Sequence, residues 1–155
     1  MSATTSATTS SATTRTATNT DPPTTSTVSV SHLGGDRFEI EVRGHRFRVD
    51  QPEAMGGEDS APTPTELFVA SLASCSAFYA RRYLSRHDLP VEGLRVETSY
   101  VMGKSPSRVA GFDVRVHLPA GVPESRHQAL LAMIDRCTVH STLTHEPDVT
   151  IALVP

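Results

Sequence analysis

The chain has 155 residues, which is enough for one domain with a tail. Its 14 basic and 17 acidic residues give a formal charge of −3, so the charge balance favours neither nucleic acid nor a membrane surface as a partner. Two cysteines far apart in sequence are not the disulfide framework of a secreted domain, and we recognise no secretory signal or membrane span. We therefore expect a cytoplasmic protein.

The first segment consists almost wholly of Ser, Thr, Ala and Pro. Residues 1–27 contain no large apolar side chain after Met1 and cannot repay the entropy of ordering. We expect a disordered tail over residues 1–27 and one folded domain over residues 28–155. A transit peptide is the alternative, because the segment is rich in Ser and poor in acidic residues, but Arg15 is its only basic residue.

Order is expected to begin with a meander of three antiparallel strands. Two turn sequences, Gly34-Gly35-Asp36 and Arg43-Gly44-His45, separate segments in which apolar and polar residues alternate. These segments are Val28–Val30, Phe38–Val42 and Arg46–Asp50. A loop from Gln51 to Pro62 follows, and loops of this length often cover sites.

The stretch from Ala61 to Pro90 predicts a long central helix. Thr63 and Glu66 have the spacing of a capping box, with Pro64 at the first helical position. No charged residue occurs between Leu67 and Ala80, which is typical of a buried helix, although the run is too short to cross a bilayer. Cys75 lies in the middle of this run.

The second half of the chain predicts two strands, a helix and a last strand. The clearest strand signal is Val109–Leu118, in which apolar residues alternate with Asp113, Arg115 and His117. The predicted elements are strands over Leu94–Met102 and Val109–Leu118, a helix over Glu124–His140 with Cys137 on its apolar stripe, and a final strand over Val149–Leu153. The fold class is therefore α+β, with two helices packed on antiparallel sheet.

The two cysteines are the first candidates for chemistry. Most free cysteines are small buried apolar side chains, and that interpretation explains Cys75 from its surroundings alone. A nucleophilic thiol is the alternative, and it needs a lowered pKa and access for substrate. Since Cys75 and Cys137 lie on the apolar stripes of the two long helices, we expect them to face each other.

Two other motifs have simpler explanations. Glu66 lies nine residues before Cys75, about two and a half helical turns, so its capping position explains it better than a contact with the thiol. Cys137 and His140 have a C-x-x-H spacing, but a zinc site needs a second pair of ligands, and a lone C-x-x-H is a weak signal. The candidates for that second pair are Cys75, His87, His117 and His127.

In combination, several motifs resemble the OsmC/Ohr family of osmotically induced and organic-hydroperoxide-resistance proteins, over roughly residues 28–155. The motifs are Val49-Asp50-Gln51-Pro52, Gly56-Gly57, Pro62-Thr63-Pro64-Thr65-Glu66-Leu67, Leu72-Ala73-Ser74-Cys75 and Cys137 to Leu143. The resemblance implies an OsmC-like fold, with antiparallel sheets and two central helices, assembled as an intertwined homodimer. It also implies reduction of organic hydroperoxides by thiols, with no metal, flavin or haem cofactor and with an external dithiol as reductant.

The resemblance also implies roles for individual residues. Cys75 corresponds to the peroxidatic thiolate and Cys137 to the resolving thiol. The family's catalytic glutamate and arginine correspond best to Glu66 and Arg37, with Arg46 second for the arginine. Thr65, however, holds the place directly after the proline where the most active members carry the glutamate, and the Pro-Thr-Glu-Leu start looks closer to the OsmC-like branch.

A pocket for an apolar peroxide is expected beside Cys75, lined by Phe68, Leu72, Phe78 and Tyr79, because burial of a hydrocarbon substituent adds affinity. A protein on the same scaffold that binds a small apolar ligand or senses redox state, without turnover, is the alternative function.

Overall fold

The computed structural model describes residues 25–155, so all but the last three residues of the predicted tail lie outside it. The described part is an α+β fold with antiparallel sheets, as predicted. Its elements are β1 (Ser29–Gly34), β2 (Arg37–Val42), β3 (His45–Val49), α1 (Pro64–Arg86), β4 (Arg95–Lys104), β5 (Ser107–His117), α2 (His127–Ile134) and α3 (Thr138–Thr144). Single turns of 3₁₀ helix occur at Glu53–Met55 and Glu124–Arg126.

The first three strands form an antiparallel sheet in the order β1-β2-β3, which confirms the predicted meander. Its alternating sequence separates the side chains onto two faces. On one face, Arg46 forms ion pairs with Glu41 at 2.9 Å and Glu39 at 3.7 Å. On the other, Val30 lies opposite Ile40 and Ile40 lies opposite Phe47.

The apolar face of this sheet is open within the single chain. Val30 is 58% exposed and Phe47 is 41% exposed. The three strands make their main contacts with one another and not with the described helices. A small sheet needs a packed apolar face for stability. The described chain does not bury this apolar face, although the alternating sequence is typical of a buried one.

The predicted helix α1 begins with the capping box expected from the sequence. The Thr63 Oγ1 atom accepts a hydrogen bond from the Glu66 N–H at 3.1 Å, and the Glu66 carboxylate accepts one from the Thr63 N–H at 2.7 Å. Burial covers one side of the helix only, so the prediction of a helix buried nearly all round does not hold within one chain. Phe68 and Phe78 remain exposed.

The buried side of α1 forms the core with the second sheet and α2. β4 and β5 pair along their whole lengths as an antiparallel hairpin, and α1 packs against it. As predicted, the polar residues of β5 face outward and its apolar residues face the helices. The centre of the core consists of Ala80, Tyr83, Leu84, Leu130 and Ile134.

The prediction of one continuous second helix is wrong. In place of one helix over Glu124–His140, α2 ends at Ile134 and α3 begins at Thr138. Cys137 lies between them with φ −57° and ψ 133°, which is extended rather than helical backbone, and it serves as the N-cap of α3. A cap residue must leave the helical conformation for its side chain to reach the next amides, which explains the break.

The predicted final strand is also absent from the described chain. Residues 145–155 have no strand pairing, and the alternating side chains Ile151 and Leu153 are 89% and 98% exposed. A β-strand is defined by a neighbour that completes its hydrogen bonds, and here the segment reaches no edge of either sheet. Within residues 25–155, no helix is both long and apolar enough to span a membrane.

Candidate active site

The structure brings the two cysteines together. Cys75 projects from the middle of α1 and is half-buried, whereas Cys137 is fully buried in the turn before α3. Both are free thiols. Burial raises the pKa of the Cys137 thiol, and a hydrogen bond with Cys75 raises that pKa further. Cys137 is therefore held in its protonated form beside a more accessible thiol.

The backbone around Cys137 fixes its sulfur. The Cys137 Sγ atom accepts a hydrogen bond from the His140 N–H at 3.4 Å. The Tyr79 hydroxyl lies 3.5 Å from the Thr138 Oγ1 atom and so connects α1 to the first residue of α3. Sequence analysis placed Cys137 on a helical stripe, which is wrong, because its contact with α1 comes from the turn between two short helices.

The C-x-x-H spacing has a role that sequence analysis missed. It places the His140 backbone N–H, rather than the imidazole, on the Cys137 sulfur. The His140 ring instead lies 3.2 Å from the Asp135 carbonyl oxygen. A sequence signal for this role does exist. At the start of a helix, the N-cap side chain often accepts a hydrogen bond from the backbone N–H three residues later. Among residues 25–155, no three His, Cys, Asp or Glu side chains are grouped to hold a metal.

Glu66 does not lie beside Cys75. Its carboxylate caps the start of α1, as its spacing from Thr63 predicted. A separation of nine residues also places the two side chains on opposite sides of the helix, because about two and a half turns separate them. Thr65, one residue earlier, projects closer to the side that carries Cys75.

The two candidate arginines are engaged away from the thiols in the described chain. Arg37 donates to the Glu58 carboxylate at 2.9 Å, and its Nε–H donates to the Gly34 carbonyl oxygen at 3.4 Å. Arg46 pairs with the glutamates of β2. Neither guanidinium forms a hydrogen bond with Cys75 in the part of the chain that the structure describes.

An apolar groove of about 520 Å³ lies between α1, β5, α2 and α3. Of the four side chains predicted to line a pocket, Leu72 lines this groove. Phe68 packs edge-on against Phe112 of the groove wall, with ring centroids 5.9 Å apart. Phe78 packs against Tyr79 instead, and Tyr79 points toward α3.

The polar rim of the groove is small. Ser76 lines it one residue after Cys75, and Asp135 and His140 line its other end near Cys137. The groove is therefore a largely apolar surface, and neither cysteine is among the residues that line it. An arrangement of this kind can take an apolar molecule with a reactive polar end.

Comparison with known proteins gives a family match and a set of similar folds. The family model for OsmC-like protein matches residues 57–152. Among solved structures, a protein of Psychrobacter arcticus named for osmotic stress induction and detoxification response is 20% identical, with a TM-score of 0.71. The match covers 77% of this chain and 89% of that one. No curated protein sequence matches.

Two further solved structures are similar. An OsmC-like protein of Mycoplasma pneumoniae has a TM-score of 0.68 at 13% identity, with 79% of this chain and 89% of that chain covered. The organic hydroperoxide resistance protein OsmC of Legionella pneumophila has a TM-score of 0.57 at 21% identity, with 81% and 93% covered. At these identities the likeness shows the fold alone.

Proposed function

The chain belongs to the OsmC-like protein family, and from that premise we propose that it is a thiol-dependent peroxidase that reduces organic hydroperoxides. Cys75 is the attacking thiolate and Cys137 the resolving thiol. The observation that carries the proposal is the pair itself, in which a half-buried thiol lies beside a fully buried one that is kept protonated. A peroxidatic cysteine needs access for its substrate and a second thiol within reach to condense with its sulfenic acid, and this pair supports both.

The reaction has three steps that balance. The Cys75 thiolate attacks the O–O bond of the hydroperoxide, forming a sulfenic acid and releasing an alkoxide that takes up a proton to become the alcohol. The Cys137 thiol then condenses with the sulfenic acid, forming a disulfide and releasing water. An external dithiol reduces this disulfide by exchange and is itself oxidised, which restores both thiols.

The groove supports an organic rather than an inorganic peroxide. Its walls are mostly aliphatic and aromatic, and Ser76, the residue that follows Cys75 in the chain, is among them. Hydrocarbon buried there contributes about 25 cal/mol per Å² of apolar surface, a gain that hydrogen peroxide does not have. No metal, flavin or haem takes part in the proposed reaction.

Activation of the thiol is assigned to Arg37, whose guanidinium would stabilise the thiolate. In the single chain this arginine lies on the first sheet, away from the described helices. We infer that assembly with a second copy brings such a sheet to the thiol of its neighbour. In this proposal Glu66 has a structural role, because its cap fixes the start of α1, the helix that carries Cys75.

A second copy of the chain is the occupant that best fits the uncovered apolar surfaces. One face of the first sheet is apolar and open, α1 leaves Phe68 and Phe78 exposed, and the C-terminal segment has the alternation of a strand without a neighbour. An intertwined homodimer would cover all three at once. We propose that residues 28–155 are the folded unit of this homodimer. We also propose that the protein is located in the cytoplasm, where thiols are kept reduced and a dithiol reductant can act.

Replacement of one side chain on each face of β1 tests the dimer. Val30→Lys places a charge on the apolar face, and Ser31→Lys places the same charge on the polar face, opposite Glu39. Sedimentation or light scattering should find that the first variant dissociates and the second does not. A wild-type protein that is monomeric at all concentrations would contradict the dimer.

Peroxide consumption tests the enzyme. Purified protein is mixed with tert-butyl hydroperoxide and either dihydrolipoamide or dithiothreitol, with the Cys75→Ser variant as the matched control. We expect turnover in the wild type only, and faster consumption of the organic peroxide than of hydrogen peroxide. After one equivalent of hydroperoxide, alkylation and mass spectrometry should find a peptide that joins Cys75 to Cys137. Equal consumption by wild type and variant would contradict the proposal.

Binding of a small apolar ligand without turnover is the second candidate function. The observation that favours it is that neither Arg37 nor Glu66 touches Cys75 within one chain, whereas the groove is present in the single chain. Thermal stabilisation by hydrophobic ligands that persists in Cys75→Ala would support this function, because a ligand that binds the native state raises stability by mass action.

A further inference from the structure

Asp50 is a buried carboxylate at the end of β3, with 1% of its surface exposed. Its Oδ1 atom accepts a hydrogen bond from the Gln51 N–H at 2.8 Å. Its Oδ2 atom accepts three, from the Glu58 N–H at 3.2 Å, the Ser60 N–H at 3.0 Å and the Ser60 hydroxyl at 2.7 Å. The bond from the Ser60 hydroxyl is the largest of the causes that lower the pKa of Asp50 to about 2. The carboxylate is thus ionised at neutral pH.

These bonds close the loop between β3 and α1 upon itself. The Asp59 N–H donates to the Gln51 carbonyl oxygen at 3.0 Å, and the Asp50 N–H donates to the Pro62 carbonyl oxygen at 3.3 Å. The closure is tight enough to require glycine at position 57, where a Cβ atom would lie 1.9 Å from the Gln51 carbonyl oxygen. Residues 51–60 therefore form a compact loop organised around one carboxylate.

The loop carries the partner of Arg37. The Glu58 carboxylate lies 2.9 Å from the guanidinium, and both side chains are substantially exposed. An exposed ion pair by itself contributes little, since two long side chains lose freedom when they meet. Here the Glu58 backbone N–H donates to Asp50. The position of Glu58 is therefore fixed independently of its ion pair with Arg37.

We propose that Asp50 is a positioning residue of the site. Through the backbone of the loop it holds Glu58 against Arg37, and so it fixes the guanidinium of the first sheet relative to the start of the cysteine helix. The consequence for catalysis rests on the proposed function, in which Arg37 activates the thiol. The described contacts between the first sheet and α1 are few, so this loop is the connection through which such an orientation is transmitted.

The first experiment measures the position of the loop and of Arg37 without reference to activity. Asp50→Asn is compared with Asp59→Asn, which removes the same charge from the same loop but no side-chain hydrogen bond of Asp50. NMR then follows solvent exchange of the Glu58 and Ser60 amides and of the Arg37 Nη1–H, the group that donates to Glu58 and that is identified by its loss in Arg37→Lys.

We expect exchange of the two amides to be about 10- to 100-fold faster in Asp50→Asn, because their hydrogen bonds to a charged acceptor are weakened. Exchange of the Arg37 Nη1–H should also become faster, because Glu58 is no longer held against it. Exchange of all three groups should be unchanged in Asp59→Asn. Ser60→Ala removes a single donor and should give a smaller effect in the same direction, which keeps the test valid if Asp50→Asn does not fold. Unchanged exchange of the Arg37 Nη1–H in folded Asp50→Asn would overturn the proposal.

The second experiment asks whether Asp50 acts through Glu58. The rate constant of Cys75 with tert-butyl hydroperoxide is measured for Asp50→Asn, Glu58→Gln and the double variant. Residues that act in one chain of contacts give non-additive effects, so the double variant should be no slower than the slower single variant. Losses that multiply would overturn the pathway through Glu58. A wild type that does not react with hydroperoxide would refute the proposed function, while the exchange experiment would still decide the role of Asp50.

Discussion

Gly57→Ala perturbs the loop at its tightest point. The added Cβ atom would lie 1.9 Å from the carbonyl oxygen of Gln51, 2.5 Å from its carbonyl carbon and 2.8 Å from its Cα atom. All three atoms belong to the backbone, so no side-chain rotation relieves the contact. The backbone at residue 57 must move away from the backbone of Gln51 by more than an ångström, because an ordinary contact between such atoms is about 3.5 Å.

The cost follows from the hydrogen bonds that this separation breaks. Gly57 itself donates to the Pro52 carbonyl oxygen at 3.2 Å, and the Asp59 N–H donates to the Gln51 carbonyl oxygen at 3.0 Å. The bond from the Glu58 N–H to Asp50 spans the same closure at 3.2 Å. At about 1 kcal/mol for each bond, the loss is about 3 kcal/mol, which lowers the melting temperature by about 10 °C for a domain of this size.

Thermal and urea unfolding of Gly57→Ala measure this loss, with Gly111→Ala as the matched control. A Cβ atom on Gly111 meets nothing within 4 Å, and that strand position needs no positive φ. We expect the control to unfold within about 0.5 kcal/mol of the wild type, since surface changes without such contacts cost little. If Gly57→Ala unfolds at the same midpoint as the control, with the loop amides still protected, the account of the loop is refuted.

Three further outcomes are expected. Cys137→Ser should leave the first oxidation of Cys75 intact, but mass spectrometry should then find Cys75 carrying two or three oxygen atoms, because no thiol condenses with the sulfenic acid. Removal of residues 146–155 should convert the proposed dimer to monomer in sedimentation. Removal of residues 2–26, whose composition predicts no part in a packed core, should change neither the association state nor the melting temperature. The folded-state pKa of Asp50 lies below its unfolded value, so its contribution to stability is present above about pH 4 and is lost as the pH falls toward about 2. Acid titration followed by circular dichroism should therefore show a shallower loss over that range in Asp50→Asn than in the wild type.

Local sequence determined the elements whose stabilising contacts are close in the chain. The capping box of α1 joins residues three apart, and the two faces of β5 follow from alternation within one strand, so both were predictable. The sequence also pointed to Cys75 and Cys137 as the candidate pair. The break before α3 was missed because the Cys137 sulfur competes as a cap with continued helix, and periodicity does not distinguish the two outcomes.

Only the tertiary structure decided which distant residues meet. The pairing of Arg37 with Glu58 and the closure of the loop around Asp50 join residues that are 21 and 8 positions apart. No period or propensity encodes such contacts, because they depend on how the packed elements place their ends. The unpaired segment at 149–153 illustrates the same limit. Its alternation specifies a strand, but a strand forms only where another edge completes its hydrogen bonds, and the single chain offers it none.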